Sequence, residues 1–364
     1  MTRRLLALLV SAGLGLTLAA PGVAAPAREK WDTKVFAKVA APGYPAYVFV
    51  HRNGLVYAGT YTNPAGDSSP SIVREWGRHG QLLHSWRLHG QDLSQDHGVQ
   101  VANQDRKGRL VLLEKSRSRL QTLNPRNGHF RTWATFPDLP ICSTGETPCS
   151  PNVDDYPAIP NYAAWGPGGA LYVTDYGQAV IWKIPRKTHK PEVWFASSAL
   201  DGTEFGTTGL VYRRSTHSLL IGQGSTAVDA SVPANGKLYE LPIKKTGKPG
   251  DLSTLWTSQP ADLPDGFSIG RSGHIYVACA GLSNQLVELS ATGEELGRFP
   301  STPGTGDNGS SIPFDTPSSA TFLGERLLVA NQSFTGDTSH HAILDVWAGE
   351  SGVPPFLPKH ALWR

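Results

Sequence analysis

One signal recurs six times along this chain of 364 residues, and it leaves few folds open. A turn residue, usually glycine, precedes a short run of β-branched, leucine and aromatic residues. The copies are Gly54–Thr60 (GLVYAGT), Gly108–Glu114 (GRLVLLE), Gly169–Asp175 (GALYVTD), His217–Gly222 (HSLLIG), Gly273–Cys279 (GHIYVAC) and Gly324–Asn331 (GERLLVAN). Such runs have the composition of inner strands. A second run follows each: Ile72–Trp76, Leu120–Leu123, Ile181–Ile184, Lys237–Leu241, Leu286–Leu289 and Ile343–Val346. These alternate apolar and polar residues, the period-two pattern of a strand with one buried face.

The copies stand about 50 to 60 residues apart, a spacing that belongs to propeller blades rather than to solenoid turns. Each copy has room for four strands. Six such sheets arranged radially give an all-β, six-bladed β-propeller over residues 31–350, followed by a C-terminal tail, 351–364. A closed ring exposes only short sheet edges. Residues 31–40 (WDTKVFAKVA) read as a strand ahead of the first copy, expected to complete the last blade. Two packed β-sandwiches are the competing architecture; they lack this regular recurrence. Composition agrees with a turn-rich β protein, with 39 Gly, 28 Pro, 10 Trp, 11 Tyr and 12 Phe. Two inserts interrupt the pattern: 137–160, rich in proline and carrying two cysteines, and 300–317, polar and expected to be mobile.

Residues 1–25 have the makeup of an export signal: Arg3 and Arg4, an apolar stretch from Leu5 to Ala20, and small residues for cleavage after Ala25 or Ala27. A twin-arginine signal and an ordinary one both fit. No later segment is apolar and long enough to enter a membrane. The expected location is secreted or periplasmic. Cys142 and Cys149 then suit a local disulfide, and Cys279 a buried small hydrophobe. The net charge of +3 is scattered along the chain, which gives no argument for nucleic acid. A small-molecule substrate and a monomer are the expectation.

In a propeller the first residue of each inner strand stands at one mouth of the central channel. Aligning the copies places Ala46, His97, Asn161, Thr208, Asp265 and Ser318 or Ser319 there. All but Ala46 are polar, and polar groups converging on one mouth are what a binding site needs. Each alone has a plainer reading, since Asp, Asn and Ser form turns through their own backbone. Asp265 with Asn161 is a hard-oxygen pair suited to calcium. His97 is either a proton acceptor or a satisfied structural histidine. Asp175 either supports the site or caps a turn. No Gly-x-Ser-x-Gly elbow, phosphate-binding glycine loop or His-Glu-x-x-His is present.

Leu263-Pro264-Asp265-Gly266 with Gly273–Ala278, together with Asn161 ahead of Gly169–Asp175, resembles the gluconolactonase, regucalcin and luciferin-regenerating enzyme family of sugar lactone lactonases. The resemblance covers most of the mature chain and is specific in its middle half. It implies a six-bladed propeller that holds one divalent cation, usually calcium, at the channel mouth and hydrolyses lactones. It also implies metal ligation by Asp265 and Asn161, with Thr208 in a third ligand place; Asp265 is then the expected activator of water, and His97, from its own chemistry, a second candidate base. The chain departs from the pattern twice: Ala46 stands where the family has a glutamate, and Thr208 where it has a second asparagine. Glu204 or the Asp154-Asp155 loop would have to make up the charge. The resulting expectation is an exported lactonase-type hydrolase. The alternative is a non-catalytic propeller that binds a small molecule or a cell-wall saccharide.

Overall fold

A computed structural model describes residues 27–61, 68–202, 206–227, 234–334 and 336–361; the signal-like segment 1–25 and Glu204 lie outside them. Twenty-four strands form six four-stranded antiparallel sheets. In blades 1 to 5 the four strands follow one another in sequence, from the inner edge outward. Blade 6 is closed differently: Thr33–Lys38 supplies its outermost strand by pairing with Ala342–Trp347. The expectation for residues 31–40 thus holds, and the two ends of the chain meet in one sheet. Arg28 secures the join, reaching Asp32 and Asp345 at 2.7 Å each.

The six inner strands are Pro45–Val50, Val99–Gln104, Pro160–Trp165, Thr207–Arg213, Pro264–Ile269 and Pro317–Leu323. Each touches the next around the channel, the sixth touching the first. Among the described residues, no ladder of backbone hydrogen bonds joins one blade to another. Cohesion comes from apolar side chains of neighbouring sheets meeting face to face, as Trp165, Leu171 and Trp182 do with Val111 and Leu113.

The two ends of the ring differ. At the end where inner strands finish, connections are short and a strap crosses them. Arg271 donates to Ser351 O at 2.9 Å, Val353 donates to Ile269 O at 2.7 Å, and Phe356 lies on Tyr212 with ring centroids 4.9 Å apart. Arg106 then donates to Ala361 O at 2.7 Å. The C-terminal segment therefore runs from blade 5 across blades 4 and 3 to blade 2, and Ala361 is fully buried. Gly169, at φ +82°, admits it, because a side chain there would strike His360.

Longer connections leave the opposite end. The insert between blades 2 and 3 carries the Cys142–Cys149 disulfide. It is pinned by Leu139 N–H to Gln178 Oε1 at 2.6 Å and by Ser150 Oγ to Gln178 O at 3.0 Å. The insert 300–317, polar in composition, is anchored rather than mobile: Ile312 and Phe314 are buried, and Phe314 meets Phe299 edge to face. Its apolar residues decide this against its polar composition. Cys279 is buried in blade 5, and burial pushes its thiol well up.

Candidate functional site

The channel mouth is built from the second residue of each inner strand. Strand register defines these positions. Pro45, Val99, Pro160, Thr207, Pro264 and Pro317 each pair with the last residue of the following strand. Proline suits a first strand position, which needs no ladder donor. The ring is therefore Ala46, Gln100, Asn161, Thr208, Asp265 and Ser318. Five of these match the sequence alignment. His97 does not: Val99, not Gly98, opens the blade 2 strand, and Gln100 takes the ring place. His97 sits in the preceding loop, its Nε2 2.8 Å from Ser69 O and its Nδ1 3.1 Å from Gln95 O. A ring whose nitrogens face two carbonyl oxygens is a fastening between loops, not an open proton acceptor.

Most of the ring's polarity is used up in seams. Gln100 Nε2 donates to Asn161 Oδ1, and Asn161 Nδ2 reaches Thr207 O at 3.5 Å. Thr208 Oγ1 donates to Pro264 O at 2.9 Å, and Ser318 Oγ donates to Ala46 O at 2.6 Å. Each bond crosses from one blade to the next, where no ladder does so. Asn161, Thr208 and Asp265 are thereby successive ring residues at one end of the molecule.

Asp265 is the exception. Its Oδ1 is buried and has no hydrogen-bond partner among the described residues. Its neighbour is Tyr162, whose hydroxyl donates to Ser318 O at 3.0 Å and lies beside the carboxyl. Burial pushes the Asp265 carboxyl up to about 8, with the Tyr162 contact opposing. Tyr162 itself is pushed well up by burial and by the Asp265 charge. Tyr47 meets Tyr162 edge to face at 4.8 Å, and burial pushes Tyr47 up to about 12. Gly266 leaves room for this arrangement: a Cβ there would lie 2.5 Å from Tyr162 Oη and 2.7 Å from Ser319 Cβ. Tyr61 covers Gly98 at the same mouth and feels the Asp265 charge, while Lys115 stands 5.1 Å over its ring.

Sequence reasoning missed Gln100, whose Oε1 is the other buried ring oxygen without a partner. Four inner strands open Pro-x, but blade 2 lacks the proline, and only the pairing of Val99 with Glu114 puts Val-Gln in the same place. Asp175 is not part of the mouth. It is fully buried and accepts from Ile159 N, Gly177 N, Gln178 Nε2 and Trp182 Nε1 at 2.7–3.1 Å, holding the disulfide insert on blade 3.

The donors fit a hard divalent cation in kind and fall short in charge. Asp265 and Gln100 offer uncommitted oxygens, but Asp265 alone is ionisable, and Ala46 leaves its own ring position apolar. Asp155 acts on Asp138, and neither Asp154 nor Asp155 acts on Asp265. Elsewhere His274, Glu288 and Glu350 lie within ligating distance of one another. Their four carboxylate oxygens already accept from Lys30, His274, Tyr276 and Ser272 at 2.5–3.1 Å. A lysine already supplies the cation there.

No protein-family model matches the chain, and no curated protein matches it. Solved structures share the fold. A calcium-binding protein, regucalcin from Agrobacterium tumefaciens, is 15% identical with a TM-score of 0.55, over 90% of this chain and 99% of that one. Luciferin-regenerating enzyme is 13% identical with a TM-score of 0.55, over 88% and 97%. A streptogramin B lyase is 14% identical with a TM-score of 0.52, over 87% and 99%. Likeness at this level speaks for the six-bladed ring and leaves its chemistry to the residues.

Proposed function

We propose that the protein is an exported, monomeric hydrolase that opens a lactone or related ester of a small molecule at the long-loop mouth. One observation carries this reading: the half-buried Asp265 keeps a buried carboxyl oxygen free of partners among the described residues, while the hydroxyls of its ring neighbours Thr208 and Ser318 are tied into seams. An unpaired buried acceptor costs about 1–3 kcal/mol, a penalty seldom kept without a use. In this mechanism Asp265 takes a proton from water as the water attacks the carbonyl carbon. It then returns the proton to the ring oxygen as the acyl C–O bond breaks. A carboxyl poised near neutrality can do both, and Tyr162 fixes its orientation. A divalent cation, when bound, would be held by Asp265 with the amide oxygens of Gln100 and Asn161 and would stabilise the developing oxyanion.

The test is hydrolysis of an aldonolactone and ester panel by the wild-type protein and by Asp265→Asn, with and without calcium. Turnover that Asp265→Asn removes supports the assignment. No turnover of any substrate, or turnover indifferent to the substitution, overturns it. Ala46 favours a second reading, a propeller that binds such a ligand without turning it over, because a ring with one charge is what loss of chemistry would leave. Calorimetric binding without turnover would single that reading out.

A further inference from the structure

We propose a second binding site, for a phosphate- or sulfate-type oxyanion, in the groove between blades 1 and 2 at the strap-covered end. The groove encloses about 380 Å³ and is lined by Arg52, Lys107, Arg109 and Arg126 with Asn124. It continues beneath His51, Gly108, Tyr57 and Glu75.

Its charges do not balance. Arg109 is neutralised by the fully buried Asp105 at 2.6 Å. Glu75 is engaged by the Tyr57 hydroxyl and by His84 Nδ1. Arg52 donates to Arg106 O at 3.0 Å and meets no carboxylate among the described residues. The side chains of Lys107 and Arg126 have no ion-pair or hydrogen-bond partner among the described residues. Three unmatched cations around one concavity repel one another and raise the local potential, which an anion would offset.

The floor gives an independent sign. His51 is 6% exposed. Its Nδ1 accepts from Asn53 N at 3.2 Å, which places the ring hydrogen on Nε2. That Nε2 is buried without an acceptor and lies against Gly108. Gly108 has φ +79°, and a Cβ there would stand 3.3 Å from Nε2, so a side chain at this position would crowd the buried donor. Two guanidinium forks and an ammonium thus line one concavity beside a buried imidazole N–H, and the one carboxylate lining it, Glu75, is already engaged. A tetrahedral oxyanion presents several acceptors at once and pairs with arginine in bidentate fashion. The volume admits such a group together with a sugar-sized remainder.

The test uses the whole protein with inorganic pyrophosphate as probe, at constant ionic strength balanced with chloride. Melting temperature should rise saturably with pyrophosphate, and the His51 imidazole nitrogen resonances should shift over the same range. In Lys107→Gln/Arg126→Gln, whose side chains make no hydrogen bond or ion pair among the described residues, affinity should drop at least tenfold while lactone turnover stays as in the wild type. A short linear polyphosphate distinguishes the sources of the group. Binding in proportion to its phosphate content marks a small phosphorylated ligand, and disproportionately tight binding marks a polyanion. No saturable response in the wild type, or the same response in the double variant, overturns the proposal.

Discussion

The two ends of this ring are built from the same strands and treated in opposite ways. Where the inner strands finish, short turns and the 351–361 strap bury what they cover, and Phe356 packs against the cores of blades 3 and 4. Where they begin, longer connections surround the mouth, and Asp265 stays without a full set of partners. The lesson is that polarity at a propeller mouth has two sources. No backbone ladder joins blade to blade among the described residues, so Asn161, Thr208 and Ser318 stitch one inner strand to the next. Only what remains after the stitching, the oxygens of Asp265 and Gln100, is a candidate for chemistry.

The largest expected effect breaks this contrast at Asp265. Asp265→Asn should lower turnover by about 10²-fold or more, the usual weight of a general acid–base. It should also stabilise the fold. The folded carboxyl titrates near 8, while in an unfolded chain it titrates at about 4. Between those values the native state holds more protons, so wild-type stability falls as pH rises through that window and levels off above it. The asparagine variant lacks that slope. In melting curves from pH 5 to 9, the variant should overtake the wild type toward pH 8. A parallel pair of curves would remove Asp265 from the role given it. Calcium, if bound by the ionised carboxylate, should restore wild-type stability at pH 8 by mass action and leave the variant unmoved.

The strap end should answer differently. Phe356→Ala removes a large ring from a partly buried seat and should cost about 2–3 kcal/mol, read as a lowered denaturation midpoint. Turnover per folded molecule should not change. A variant that lost activity without losing stability would show that the two ends are coupled and would undo the division drawn above.

Gly266→Ala sharpens the mouth itself. Its Cβ would arrive 2.5 Å from Tyr162 Oη and 2.9 Å from Ser318 O. Displacing Tyr162 should cost about 1–3 kcal/mol in strain. It should also reduce turnover by freeing the Asp265 carboxyl to rotate. Retained activity would mean that Tyr162 does not set the carboxyl's position.

How far the sequence reveals this depends on whether a feature is local. The six inner strands are legible because a turn and a β-branched run lie within a few residues of each other. The closure of blade 6 by Thr33–Lys38 is legible because one strand stands ahead of the first copy. The register of blade 2 is not local. His97-Gly98 mimics Asp265-Gly266, and only the pairing of Val99 with Glu114 shows that the strand starts later. The seams are hidden for the same reason, since Thr208 and Pro264 are 56 residues apart. The strap is hidden as well, because nothing in Pro354-Pro355-Phe356 shows which blades it will cross.

Thr208 gives the smallest expected effect and the finest discrimination. As a cation ligand it would contribute an oxygen; as a seam it contributes a hydrogen, given to Pro264 O at 2.9 Å. Thr208→Val keeps the shape and deletes the hydroxyl. A seam predicts a loss of about 1 kcal/mol, with the calcium response of the melting temperature unchanged. A ligand predicts the reverse: little change without calcium and a weaker response with it. Because Thr174 Oγ1 also donates to Thr208 O at 2.8 Å, the backbone here is held from a second side and should not shift. The measurement then reports on the hydroxyl alone, and the seam outcome would leave Asp265 as the mouth's one uncommitted acid.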